Sequence, residues 1–166
     1  SSKDNKKILK QIECCNKEIV IITKHWTNLS KEQIEYLGTI NVCVNTSVSA
    51  LDKEHIYLNG VEQYKRLKPY CKSILRIVSA DFNLENEIGH RLHIIQKSLF
   101  ENTDTLDTVL RVNENNPIVK NRIINTRKTK FLGKNAIISK YNPKTYFGKC
   151  SSCQEMCGAS VKDKKK

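Results

Sequence analysis

Long apolar runs are missing from this 166-residue sequence. No apolar stretch reaches the roughly 18 residues that a membrane-spanning helix needs, so the sequence predicts no membrane partner. The opening segment SSKDNKKILK is too highly charged to supply the apolar core of a secretion signal. We therefore expect a cytoplasmic protein.

Several well-known catalytic motifs are also absent. The sequence has no glycine-rich phosphate loop, no nucleophile elbow of the G-x-S-x-G type and no H-E-x-x-H zinc motif. A Cys–His hydrolase stays open as an alternative, because Cys43 or Cys71 could meet His25 in the fold, although no local motif supports it. Known catalytic motifs therefore assign no enzyme class to this sequence.

Acidic residues are few, and the chain has a formal net charge of +12. Basic residues concentrate in residues 120–134, KNRIINTRKTKFLGK, and in the lysine tail at 162–166, which we expect to be disordered. This balance favours a phosphate-bearing or nucleic-acid partner. Aromatic residues that could stack on bases are scarce near the basic stretch, and lysine-rich chains can be basic without binding nucleic acid.

Apolar periodicity divides the first 115 residues into alternating helices and strands. Helical spacing predicts four helices, at residues 6–16, at 30–40, in the later part of 55–71 up to Pro69, and at 85–102. Continuous or β-branched apolar runs predict four strands, at residues 18–26, 41–51, 73–82 and 105–113. This alternation is typical of βα units on a parallel sheet. The predicted fold class is α/β, either a partial (β/α) barrel or a parallel sheet of about four strands with flanking helices.

The alternation ends near residue 115, which indicates a second region. We predict an α/β domain at residues 1–115 and a basic, irregular, cysteine-containing C-terminal appendage at residues 116–166. Within the appendage, short strands are predicted at residues 122–125 and 135–139. The appendage is expected to pack on the sheet.

Polar residues cluster within the predicted strands and at their carboxyl ends. Ligands bind at the carboxyl ends of strands in parallel α/β sheets and barrels, and charged residues in buried strands are costly unless paired or functional. We therefore expect Lys24, Asn45, Arg76 and Arg111 to crowd a common rim. The alternative is that such residues are ordinary turn and cap residues. The candidate ligand-binding residues are Lys24, His25, Asn45, Ser47, Arg76, Asp81, Arg111 and Asn113.

Three cysteines near the C-terminus have metal-ligand spacing. Cys150, Cys153 and Cys157 form a C-x2-C-x3-C pattern, in which short gaps can aim several thiolates at one metal. Structural zinc needs four ligands, so Cys43, Cys71 or a histidine would supply the fourth. An iron–sulfur cluster can be held by three cysteines with one iron left open. The remaining alternative is that these cysteines bind no metal.

The segment EIVIITKHWTNLSKEQIEYLGTINVCVNTSVSALD, at residues 18–52, resembles the middle of a radical S-adenosylmethionine barrel. In the branch similar to spore photoproduct lyase, one strand ends in a Thr-Lys pair and the next in a Ser/Asn-rich segment. The matching residues here are TK at 23–24 and NTSVS at 45–49, and the resemblance extends over about residues 18–115. It implies an iron–sulfur cluster that cleaves S-adenosylmethionine, with Lys24, Ser47, Arg76 and Arg111 holding the cofactor or substrate.

The family's defining C-x3-C-x2-C loop is absent from this sequence. We therefore expect part or half of such an enzyme, completed by a missing N-terminal half or a partner subunit, with a metal or iron–sulfur site at the terminal cysteines. The alternative function is a zinc-stapled α/β module that contacts nucleic acid or another phosphate-rich partner. A third possible function is that of an α/β protein whose cysteines bind no metal and which acts only through protein–protein contacts.

Overall fold

The computed structural model describes residues 7, 10, 11 and 19–148. Six strands are present in this part of the chain: β1 (Ile19–Thr23), β2 (Val42–Val48), β3 (Lys72–Ser79), β4 (Thr105–Val112), β5 (Arg127–Phe131) and β6 (Lys134–Ser139). The helices within residues 19–148 are α1 (Lys31–Thr39), α2 (Glu54–Leu67), α3 (Glu87–Phe100) and the single turn α4 (Pro117–Lys120). No helix among these is long and apolar enough to span a membrane.

All six strands form one curled half-barrel sheet in the order β1-β2-β3-β4-β6-β5. The first four strands are parallel and neighbour one another in chain order, whereas β6 runs antiparallel to both β4 and β5. The predicted α/β class with four parallel strands is confirmed. Parallel neighbours need long crossovers, which α1, α2 and α3 supply.

The start of α1 shows how the sequence specifies a helix boundary. The Ser30 hydroxyl accepts a hydrogen bond from the Gln33 backbone N–H at 3.2 Å, and the Gln33 side chain accepts one from the Ser30 N–H at 2.9 Å. This reciprocal pair is the capping box that the Ser-x-x-Gln pattern predicts. It fixes where the chain turns from the loop after β1 into the first crossover helix.

Helices α1–α3 cover one face of the parallel strands. Leu67 of α2 packs with Val44 of β2, and Leu99 of α3 packs with Leu75 and Ile77 of β3. All five side chains are almost fully buried. Burial of each such side chain contributes roughly 1.5–3 kcal/mol before entropy is counted, so this layer supplies much of the driving force for folding.

A separate apolar cluster lies beyond the carboxyl ends of β2 and β3. It joins Ala50 and Phe82, which follow these strands, to Ile123 and Ile124 from the segment after α4. Phe82 and Ile124 also form an isolated antiparallel β-bridge. This cluster anchors the loop after β3, which carries candidate residue Asp81.

The predicted strand at residues 122–125 is misplaced. Ile123 and Ile124 are buried in the cluster just described, and the strand begins only at Arg127. Ile123 and Ile124 are therefore apolar because they pack in the core, and they are not part of a regular strand. The other short strand, predicted at residues 135–139, is confirmed as β6.

Strands β5 and β6 continue the same sheet as β1–β4. The described part of the predicted appendage therefore adds two strands to the sheet edge. The division at residue 115 stays a prediction. The lysine tail and Cys150, Cys153 and Cys157 lie outside the described residues.

Candidate functional site

Strand register places three of the candidate residues on one face of the sheet. Ser47 pairs directly with Arg76, and Asn45 lies two residues before Ser47 on the same strand. Side chains two apart along a strand share a face, so Asn45, Ser47 and Arg76 all face away from the layer of α1–α3. We call this side the inner face; its members on the central strands are Cys43, Asn45, Ser47, Lys72, Ile74, Arg76, Val78, Leu106 and Thr108.

Arg76 carries the clearest sign of a ligand site on the inner face. Its Nε donates a hydrogen bond to the Thr108 hydroxyl at 3.1 Å, and no carboxylate among the described residues forms an ion pair with it. The side chain is half-buried next to Ser47, which is half-buried too. A partly desolvated guanidinium that contacts only a neutral hydroxyl can accept a carboxylate or phosphate in bidentate geometry.

Lys24 is engaged in an ion pair at the carboxyl ends of β1 and β2. Its Nζ lies 2.5 Å from Oδ1 of Asp52, a largely buried carboxylate. The other Asp52 oxygen accepts a hydrogen bond from the Ser49 N–H at 2.8 Å, and the Ser49 hydroxyl donates to the Val78 carbonyl at 2.9 Å. Lys24 therefore links the loop after β1 to the loop after β2, and through Ser49 to β3.

Three other candidates have local structural roles or lie apart from Arg76. His25 is exposed, and the Thr23 hydroxyl donates to its backbone carbonyl. The Asn113 side chain accepts from the Asn115 N–H at 2.8 Å, which is an ordinary turn contact. The Arg111 guanidinium lies 4.8 Å from the centre of the Phe131 ring.

Arg111 does not join the rim that the sequence predicted for it with Lys24, Asn45 and Arg76. Arg76 pairs with Leu106 of β4, so Arg111, five residues further along the strand, has the opposite parity and faces the other side. Lys24 directly follows Thr23, which pairs with Thr46, so its backbone comes level with Ser47 and Arg76, while its side chain is paired with Asp52. Alternation of side chains along β4 is the physical reason that Arg111 lies apart from Asn45 and Arg76.

Asp81, the remaining candidate, lines a cavity of about 250 Å³ beside the end of β3. The loop is held by its backbone: the Ser139 hydroxyl accepts from the Asp81 N–H at 2.8 Å, and the Asp81 carbonyl accepts from the Asn125 N–H at 2.7 Å. Asp81 itself is exposed. The described residues that line it are Asp81, Asn125, Thr126, Arg127, Ile138, Lys140 and Pro143.

Two cations, Arg127 and Lys140, face this cavity and were not among the predicted site residues. Desolvation and the nearby Arg127 charge lower the pKa of Lys140, and Asp107 partly opposes that shift. Lys140 donates to the Thr145 carbonyl at 2.5 Å and to the Pro143 carbonyl at 3.2 Å. The cavity therefore combines two positive charges with one carboxylate, Asp81, a set suited to an anionic or zwitterionic ligand.

Asp107 organises the polar network next to that cavity. Its carboxylate accepts hydrogen bonds from the Ser79 hydroxyl and, at 2.5 Å, from the Thr145 hydroxyl. Sequence reasoning missed this cluster because its members are far apart along the chain. The available signal was a single aspartate inside an apolar strand, where an unpaired charge would be costly.

Two cysteines lie within the described residues, and both are shielded from solvent to some degree. Cys43 is buried, and Cys71 is half-buried. Burial, with a smaller contribution from Cys43, raises the pKa of the Cys71 thiol to about 11, so it is not the thiolate that a Cys–His hydrolase requires. In the described part of the chain, no group of three or more His, Cys, Asp or Glu residues could hold a metal ion.

Comparison with known proteins gives no relatives. No family model matches the chain, and neither the curated proteins nor the solved structures contain a match to it.

Proposed function

We propose that this chain forms part of a radical S-adenosylmethionine-like enzyme, and that its inner face holds an anionic ligand. The observation that carries the proposal is Arg76, a half-buried cation beside Ser47 whose only hydrogen bond in the described structure goes to a neutral hydroxyl. A sheet that served only as a scaffold would gain more from an apolar residue at this position. The curled order of four parallel strands also supports a partial barrel.

S-adenosylmethionine fits the chemistry of these residues. Its carboxylate would pair with Arg76, and one of its hydroxyl groups would hydrogen-bond with Ser47. Asn45 is fully buried and its side-chain amide contacts the Cys43 sulfur, so it would support this face without touching the ligand. Lys24 acts indirectly in this proposal, because its ion pair with Asp52 holds the loops at the carboxyl ends of β1 and β2.

An iron–sulfur cluster bound to S-adenosylmethionine supplies one-electron radical chemistry. In this proposal the cluster ligands are Cys150, Cys153 and Cys157, which lie outside the described residues. The proposed location is the cytoplasm, where reducing conditions keep the seven cysteines of the chain as thiols.

Anaerobic purification followed by analysis for iron, sulfide and zinc tests the cofactor assignment. We expect brown protein that contains iron and sulfide and cleaves S-adenosylmethionine after reduction. A Cys150→Ser, Cys153→Ser, Cys157→Ser variant should lose both colour and cleavage while keeping its folded circular dichroism spectrum. Colourless wild-type protein that contains zinc, or no metal at all, would contradict the assignment.

A second candidate function, nucleic-acid binding, is favoured by the β5–β6 hairpin. Arg127, Lys128 and Lys130 of β5 and Lys134 of β6 are all exposed. Among the described residues, a carboxylate forms an ion pair with Lys128 alone of these four: Glu114 lies 3.2 Å away, in an exposed pair that contributes little energy. Such a basic ribbon can follow a phosphate backbone.

Fluorescence anisotropy with a labelled oligonucleotide tests this second function. Binding that weakens steeply as salt is raised, and weakens further in a Lys128→Gln, Lys130→Gln double variant, would support it. The exposed helix variant Lys97→Gln is the matched control. Equal affinity for the double variant and the control would exclude the hairpin as the binding surface.

A further inference from the structure

A second cavity, of about 430 Å³, lies at the amino ends of β3 and β4. It is therefore at the opposite end of the sheet from the carboxyl-end loops and from the Asp81 cavity. Its lining comes from the end of α2, the first residues of β3 and the first residues of β4: Lys68, Cys71, Lys72, Ser73, Ile74, Asp104, Thr105 and Leu106.

Lys72 is the unusual member of this lining. Its Nζ is buried, and among the described residues it has no hydrogen-bond partner. No carboxylate in the described part of the chain lies within ion-pair distance of it. An ammonium group removed from water without a partner is costly, so its place in the cavity wall calls for a ligand of opposite charge.

The other charges in the cavity do not neutralise Lys72. Asp104 is already paired with Lys68, whose Nζ lies 2.9 Å from the carboxylate. That hydrogen bond and one to Tyr64 raise the pKa of Lys68, which therefore stays protonated near neutral pH. The described lining residues thus carry two cations against one carboxylate.

The neighbouring thiol adds no negative charge. Burial raises the pKa of Cys71 to about 11, so the thiol is neutral at physiological pH. The Ser73 hydroxyl donates to the Tyr64 carbonyl at 2.9 Å and is occupied by that bond. The net positive charge of the cavity therefore remains centred on Lys72.

We propose that this cavity is a second ligand site, in which Lys72 binds the carboxylate or phosphate group of a small molecule. Its position at the amino ends of the strands separates it from the inner-face site around Arg76, since Lys72 starts β3 and Arg76 lies four residues further along. The proposal does not depend on radical chemistry or on the terminal cysteines.

Isothermal titration of the full chain with inorganic phosphate and with malonate, at constant ionic strength, tests the site. We expect saturable binding of at least one of the two anions. Lys72→Met should weaken that binding by about tenfold or more, because a charge-assisted hydrogen bond is lost. Lys72→Arg should bind, and Lys97→Met, which removes an exposed lysine of α3, should bind like wild type. Binding of only one of the two anions would show whether the site prefers a phosphate or a carboxylate.

Backbone amide chemical shifts of the wild-type protein, followed by NMR during the same titration, provide a measurement that does not depend on the folding of a variant. Anion binding should shift the amide signals of Cys71, Lys72 and Asp104 and leave that of Lys97 on α3 unchanged. Absence of binding by both anions, or equal affinity for wild type and Lys72→Met, would overturn the proposal. Shifts of equal size at Lys72 and Lys97 would overturn it as well.

Discussion

Gln96 offers a sharp test of how α3 holds the loop after β3. Its side chain is fully buried and contacts both backbone groups of Ala80. The Gln96 Oε1 accepts from the Ala80 N–H at 2.9 Å, and the Gln96 Nε2 donates to the Ala80 carbonyl at 3.0 Å. Ala80 directly precedes Asp81, so this pair of bonds fixes the start of the loop that lines the smaller cavity.

Gln96→Met keeps the length of the side chain and removes both bonds. One buried N–H and one buried carbonyl then lack partners, and each costs about 1–3 kcal/mol. The more apolar methionine offsets part of this through the hydrophobic effect. The expected net loss is about 2–4 kcal/mol, a large share of the 5–15 kcal/mol typical of domain stability.

Urea unfolding followed by circular dichroism measures this loss. Lys97→Met, at the next and exposed position of the same helix, is the matched control and should change the free energy of unfolding by less than about 0.5 kcal/mol. A loss below about 1 kcal/mol for Gln96→Met, with an unchanged denaturant slope, would refute the reasoning. Such a result would mean that water hydrogen-bonds to the backbone groups of Ala80 as well as the Gln96 side-chain amide does, with no loss of folding free energy.

Three further predictions concern the scaffold. Gly89→Ala should destabilise by more than about 2 kcal/mol in urea, because its new Cβ would lie 2.2 Å from the Asn83 carbonyl oxygen; an unchanged midpoint would contradict this contact. Ser30→Ala should cost about 1 kcal/mol by loss of the capping box, and an effect below a few tenths would show that the cap is idle. Burial raises the pKa of the Cys71 thiol from 9.0 to about 11. Between pH 9 and 11 the folded protein therefore keeps a proton that the unfolded chain loses, so the free energy of unfolding falls as the pH rises through this range. Between pH 9 and 11 the free energy of unfolding of Cys71→Ala should fall by about 1–2 kcal/mol less than that of wild type, a figure that allows for the partial exposure of Cys71. If the free energies of unfolding of the two proteins changed in parallel with pH, the assigned pKa shift would be contradicted.

Local patterns predicted the parallel part of the fold well. The four β-branched runs became β1–β4 with ends shifted by a few residues, and Ser30 with Gln33 marked the start of α1. These features are encoded by neighbouring residues, so periodicity and capping chemistry are sufficient to find them. The position of β5 was missed because Ile123 and Ile124 serve the core through distant contacts.

The site was harder to predict because register and face depend on the whole sheet. Ser47 and Arg76 were both chosen from the sequence, but only the pairing of β2 with β3 shows that they lie side by side. Parity along β4 separates Arg111 from them. The network of Asp107 with Ser79 and Thr145 spans three distant segments, so no local pattern marks it.

The most direct test of the central claim is isothermal titration of S-adenosylmethionine into wild-type protein and into Arg76→Met. If the inner face holds this ligand, wild type binds it and Arg76→Met binds at least about tenfold more weakly, through loss of a charge-assisted pair. Arg91→Met, which alters an exposed arginine on α3, should match wild type. Equal affinity for wild type and Arg76→Met, or no binding to wild type, would contradict the account.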